Sequence, residues 1–184
     1  TTSASARAIL AEVVGQIAKR NEFFNSLKTK YGVNIEQYSQ YREFSKQRQL
    51  QGDEDFKKII PRILLVIDEY KTLFEGEDAT TALQDLSTLC SQGRNAGVHL
   101  MLGSQRFVEK GQISIASLYS NIHIRAALRM TLEDISSLSE IDKSERNTLQ
   151  QFCNEAGKIY INERSGEAGG GNTGTVFCYN SNDI

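Results

Sequence analysis

Cysteine is scarce in this chain: Cys90, Cys153 and Cys178 are the only three in 184 residues. They are odd in number, widely spaced, and form neither a C-x-x-C pair nor a metal-ligand spacing with either histidine. A disulfide scaffold and a zinc module are thereby disfavoured, and reduced thiols of a cytosolic protein are expected. Long apolar runs are missing as well. None approaches the ~18–20 residues that a helix needs to span a bilayer, and no basic segment followed by an apolar one marks a secretory leader at the start. An excess of one charge is also lacking, with 21 Lys and Arg against 23 Asp and Glu and a formal net charge of -2. That argues against a protein that coats nucleic acid nonspecifically. It neither requires nor forbids DNA, because a ring of subunits can still present a local basic patch. Internal repeats are absent.

What is present is ordinary globular composition, 39% apolar and 24% charged. At this length one domain over residues 1–184 is expected, large enough to bury a core. The first residue is Thr rather than Met, so an upstream portion is expected to have been cut away. The first part, residues 5–58, reads as helical and the remainder, 59–180, as a sheet portion.

From Ser5 to Tyr31, apolar residues recur at Ile9, Leu10, Val13, Val14, Ile17, Phe24, Leu27 and Tyr31. Steps of three and four predict one face of a long amphipathic helix, with Lys19, Arg20, Lys28 and Lys30 mostly off that face. Gly32 stops it. Residues Asn34 to Phe44 predict a short helix, and the polar stretch Gln47 to Lys58 a solvated linker. Ile63 to Ile67 is then a continuous apolar run of the kind found in strands buried on both faces of a parallel sheet. Helical periodicity returns from Thr80 to Asn95, and Gly97 breaks it before a second strand, Val98 to Leu102. Further strands are expected at Ile122–Leu128, Gly157–Asn162 and Thr175–Tyr179, with short helices at Thr131–Leu138 and Lys143–Cys153. The alternation gives an α/β architecture. His99 and His123 fall inside predicted strands, where a satisfied core or strand-edge role is expected.

Three segments could carry chemistry. Leu64 to Ile67 ends abruptly in Asp68-Glu69. Ligands gather at the carboxyl ends of parallel strands. An oxygen ligand there suits a hard cation such as Mg²⁺, and a neighbouring carboxylate can orient or deprotonate water. By itself the pair fits a strand emerging into a polar turn equally well. Val98 to Leu102 leads into Gly103-Ser104-Gln105-Arg106, where Gln105 could bond a water or a phosphate and Ser104 could simply cap a helix. Gln92-Gly93-Arg94-Asn95-Ala96-Gly97 sets a guanidinium at a helix end. There it can complement its own macrodipole or reach a phosphate on a neighbouring subunit.

The order of these pieces — apolar strand, Asp-Glu, helix, Gly-Arg-Asn-Ala-Gly, strand, Ser-Gln-Arg — resembles the FtsK/SpoIIIE/HerA family of hexameric motor ATPases. The resemblance extends from about Ala8 to Tyr179, taking in Tyr31-Gly32-Val33, Ile122 to Leu128 and Gly157 to Ile161. It implies the C-terminal part of a RecA-like P-loop core, a mainly parallel sheet flanked by helices, with a long N-terminal helix. It also implies ATP and Mg²⁺ as cofactors, with Asp68 as the Mg²⁺-linked Walker B aspartate and Glu69 as the catalytic glutamate. Gln105 matches the sensor-like position, Arg94 an arginine finger offered to the adjacent subunit, and Arg125 a later-strand arginine of structural or phosphate-sensing role. A hexameric ring of like subunits, duplex DNA as the partner and a cytoplasmic place, with or without a tether in other segments, follow from the same resemblance.

One departure matters. No G-x-x-x-x-G-K-S/T phosphate loop occurs in the chain. The stretch Gly166 to Gly174 is glycine-rich but has no Lys and precedes a strand rather than a helix, so it reads as a flexible surface loop. The fragment alone is therefore expected to bind ATP poorly and hardly to hydrolyse it. ATP-driven DNA translocation is the leading expectation, with the pore contacts guessed at Lys110 and Gln112. A type VII protein-secretion ATPase, sharing the same motor module, and a nonhydrolysing regulatory module are the alternatives.

Overall fold

A computed structural model of the chain describes residues 3–74, 78–105, 116–138, 143–167 and 171–176. Arg106, Lys110, Gln112 and Cys178 lie outside these residues. The chain divides into two compact units, residues 1–104 and 105–184.

The first unit contains α1 (Ser3–Tyr31), α2 (Tyr38–Leu50), β1 (Ile63–Ile67), α3 (Ala79–Ala96) and β2 (Val98–Leu102). Along α1 the buried residues are Leu10, Ile17, Arg20, Phe24 and Leu27, a seven-three-four-three spacing that keeps them on one face. Gly32 ends the helix at φ 69, and its N–H donates to Lys28 O at 2.9 Å. Arg20 is not off the apolar face as expected. It is buried, and its guanidinium donates to Ala96 O and to Pro61 O, both at 2.9 Å. Burial pulls its pKa below the ordinary arginine value, against the opposing influence of Tyr38 and Tyr41.

The second helix starts later and runs further than its periodicity suggested. Gln40 Oε1 accepts from the N–H groups of Glu36 and Gln37, at 2.8 and 3.0 Å, which starts the helix at Tyr38. The polar stretch expected as a linker therefore begins as helix, and the chain turns only at Gly52 (φ 77). Between α1 and α2 lies an aromatic cluster of Phe24, Tyr38, Tyr41 and Phe56 with Leu27 and Ile35. The Phe24 and Tyr41 rings stack at 5.1 Å between centroids. The Tyr38 hydroxyl donates to Ile60 O at 2.6 Å, and the Tyr41 hydroxyl accepts from Ile60 N at 3.0 Å. Two buried aromatics thus hold the segment that enters β1.

β1 and β2 are parallel, in register from Ile63↔Val98 to Ile67↔Leu102, and α3 is the crossover between them. Gly93 lets α3 lie close to β2, since a Cβ there would come within 2.7 Å of Val98 O. Gly97 caps α3 in the left-handed region (φ 74) with the Tyr38 ring where its side chain would be. Burial on both faces, expected from the apolar run, holds for one face only. Leu64, Val66 and Met101 are 64%, 58% and 61% exposed, whereas Val98 is 2% exposed. Helix α3 covers the Val98 face, and the opposite face of the strand pair is open.

The second unit contains α4 (Ala116–Ser120), β3 (Arg125–Ala127), α5 (Leu132–Leu138), α6 (Lys143–Asn154), β4 (Lys158–Asn162) and β5 (Gly171–Thr175). Its three strands run antiparallel in the order β3-β4-β5. Against the mainly parallel sheet expected, parallel pairing is confined, among the described residues, to β1 and β2. Ile135, Leu149, Cys153 and Tyr160 form the core of this unit with Ala127 and Met130. The glycine-rich stretch is not simply a loop. Residues 171–174 belong to β5, where Gly171 faces Asn162 and the Tyr160 side chain occupies the space a Cβ would fill. The final strand accordingly starts at Gly171 rather than Thr175; residues 177–184 lie outside the described set. Neither histidine is a core residue. His99 is exposed on β2, and His123, exposed ahead of β3, has Nδ1 at 3.0 Å from Ser165 Oγ. Among the described residues no helix is long and apolar enough to cross a membrane.

Candidate active site

Parallel pairing in register makes the two strands of the first unit end side by side, so residues 35 apart in sequence meet. Gly103 N donates to Ile67 O at 2.8 Å and Tyr70 N to Gly103 O at 3.1 Å, which extends the ladder past both strands. Asp68 and Glu69 therefore emerge directly against Gly103 and Ser104. A Cβ at position 103 would stand 3.0 Å from Asp68 Oδ1 and 3.7 Å from Ile67 O, so glycine keeps that approach open. Asp68 is exposed and Glu69 half-buried.

Glu69 has φ 53, in the left-handed region that few non-glycine residues occupy. Its carbonyl accepts from Thr72 N at 3.1 Å and from Thr72 Oγ1 at 3.0 Å, which holds the turn against that strain. Its carboxylate Oε1 accepts from the Ser104 hydroxyl at 3.0 Å. An exposed carboxylate beside a second one held by a hydroxyl is an arrangement that can attract a hard cation and orient water. Among the described residues no three or more His, Cys, Asp or Glu side chains converge as a metal cage. The exposed Asp68 carboxylate is an oxygen donor of the kind a hard cation such as Mg²⁺ would accept.

Arg94 lies in the last turn of α3, exposed, its carbonyl accepting from Gly97 N at 3.1 Å. Gly97 O in turn accepts from Ile63 N at 3.0 Å. That end of α3 is therefore at the edge where β1 begins, while Asp68 follows its end. Five strand residues separate the two edges by roughly 16 Å. Within one chain Arg94 and the carboxylate pair stand at opposite edges of the sheet. Gln105 is exposed and begins the second unit. Arg125, also in the second unit, is buried in β3 and donates from Nη2 to Tyr119 O at 2.7 Å. Burial lowers its pKa, opposed by Tyr119.

Sequence reasoning weighed Ser104 only as a helix cap and missed its bond to Glu69. No local pattern carries it, because it depends on the pairing of two strands across α3. The parallel register, had it been assumed, would have placed positions 69 and 104 together.

The sequence matches no family model and no curated protein. Among solved structures, the cytoplasmic domain of the Thermomonospora curvata type VII secretion ATPase EccC is similar over 94% of this chain, with a TM-score of 0.60 and 17% identity. The pCW3 conjugation coupling protein TcpA, in its monomer form with ATPgS, is similar over 100% of this chain, with a TM-score of 0.64 and 18% identity. At these identities the likeness is one of fold. This chain spans 18% of the first structure and 47% of the second.

Proposed function

We propose that this chain is the hydrolysis and interface half of a RecA-like motor ATPase that moves duplex DNA through a hexameric ring. The observation that carries the reading is the meeting of two parallel strand ends, with Asp68 exposed and Glu69 held by Ser104. The fold likeness to a secretion ATPase and to a conjugation coupling protein in a form with ATPgS supports it. In this reading Asp68 holds Mg²⁺, which when bound neutralises charge on the nucleotide phosphates. Glu69 orients the attacking water and takes its proton. Arg94, at the far edge of its own sheet, serves the site of the adjacent subunit, and Gln105 contacts the terminal phosphate or the water. Of the two roles read for Arg125, its bond to Tyr119 O supports the structural one. The phosphate cradle is not supplied by residues 1–184.

Duplex DNA added to the full-length protein carrying this chain should stimulate ATP hydrolysis. Arg94→Ala should lower kcat by about 10³-fold or more, the scale of an arginine finger, while nucleotide binding persists. In mixed rings, an R94A subunit should silence the site of its neighbour rather than its own. Unchanged turnover in R94A would remove that role.

A second reading, protein secretion, draws on the likeness to the type VII secretion ATPase. Hydrolysis indifferent to DNA but raised by a protein substrate would favour it over translocation.

A further inference from the structure

We propose that Ser104 is a positioning residue for Glu69, one whose hydroxyl fixes the carboxylate toward the water it activates; this rests on the reading of Glu69 as the water-orienting group. Three observations meet at this pair. The Ser104 hydroxyl donates to Glu69 Oε1 at 3.0 Å. A serine hydroxyl has a single proton and a carboxylate oxygen only accepts, so this bond commits Ser104 as donor and Glu69 Oε1 as acceptor. The Glu69 backbone is set in the left-handed region at φ 53, with its carbonyl bound twice by Thr72. The direction in which its side chain leaves the strand is therefore fixed, and the remaining freedom lies in the side-chain torsions. Ser104 restricts those torsions from the far end. Finally, Gly103 brings Ser104 into reach. Its N–H and C=O pair with Ile67 and Tyr70 on either side of Asp68-Glu69, and the absence of a side chain lets the second strand end lie against Asp68.

These features act as one device. Gly103 permits the close approach, the Glu69-Thr72 turn aims the carboxylate, and Ser104 holds it. Alanine at 104 would leave the strand pairing intact, since the ladder runs through backbone atoms of 67, 70 and 103. A carboxylate that has lost this bond spends less time in the reactive geometry, and positioning of this kind acts on kcat rather than on nucleotide affinity.

Steady-state ATP hydrolysis by the full-length protein tests the assignment with S104A, S104T, E69Q and the S104A/E69Q double variant. Expected is an about tenfold fall in kcat for S104A, with KM for ATP within about twofold of the parent, and recovery in S104T, which keeps the hydroxyl. In the E69Q background S104A should have no further effect. A normal kcat in S104A with E69Q inactive would overturn the positioning role and leave the reading of Glu69 standing. An undiminished S104A effect in the E69Q background would also overturn it. Full activity of E69Q would overturn both. A readout independent of turnover uses the chain itself: the side-chain carboxyl ¹³C resonance of Glu69 should move in S104A and return in S104T. An unmoved resonance would mean that no such bond orients Glu69.

Discussion

Replacing Arg20 with methionine removes the guanidinium that ties α1 to the rest of the first unit, while keeping most of the aliphatic stem. Arg20 is 6% exposed and donates to Ala96 O at the end of α3 and to Pro61 O just before β1, each at 2.9 Å. One side chain on the first helix therefore caps the crossover helix and anchors the entry to the strand that ends in Asp68-Glu69. Hydrogen bonds from a charged donor contribute about 1.5–3 kcal/mol each, so two give about 3–6 kcal/mol. Against this stands the cost of burying the guanidinium, visible as the downward pull on its pKa. Methionine recovers that desolvation and some packing, but it leaves two carbonyls without their donor. A net destabilisation of about 2–4 kcal/mol follows. In urea, with a slope of about 1–3 kcal/mol/M, the unfolding midpoint of R20M should fall by about 1–2 M, read from circular dichroism or from the fluorescence of the tyrosines around Tyr41. Lysine, which can reach only one carbonyl at a time, should fall between the two. A shift in R20M below about 0.5 kcal/mol, the scale of ordinary surface substitutions, would refute the clamp.

Two other perturbations follow from the geometry. Gly97→Ala puts a Cβ at φ 74 against the Tyr38 ring, so a loss of more than about 1 kcal/mol is expected from the backbone and the crowding together; thermal unfolding equal to the parent's would contradict the packing. Burial pushes the Cys90 thiol up to about 11, so its thiolate fraction at pH 8 is about a hundredfold below that of an ordinary cysteine. Maleimide labelling at Cys90, located by mass spectrometry, should be correspondingly slow and should keep rising about tenfold per pH unit past pH 9, where a free thiol would level off. Rapid labelling at pH 8 would show the thiol to be open to solvent.

Much of the first unit was legible because its signals are local. The runs Ile63–Ile67 and Val98–Leu102 are the two strands, and the leucine spacing between them is α3. What was not legible depends on partners far along the chain. An apolar run says that Leu64 and Val66 suit a sheet, but not which face the helices will cover. Arg20 looked like a solvated charge because nothing in α1 announces two carbonyls, one 41 and the other 76 residues away, waiting for a donor. Glycine has no strand preference of its own, so β5 is defined by its pairing with β4 and by the place Gly171 leaves for Tyr160. At the site, Asp68 and Glu69 were visible as types at a strand end. The left-handed turn at Glu69 and its bond to Ser104 were not, because both arise from how two strand ends meet.

The central claim is that the Glu69 carboxylate, at the meeting of the two strand ends, performs hydrolysis. Single-turnover ATP hydrolysis by the full-length protein, parent against E69Q, tests it most directly, because glutamine keeps the shape and removes only the base. A loss of about 10²–10⁴-fold in the hydrolysis step is expected, with ATP binding retained. Hydrolysis by E69Q at the parent's rate would contradict it.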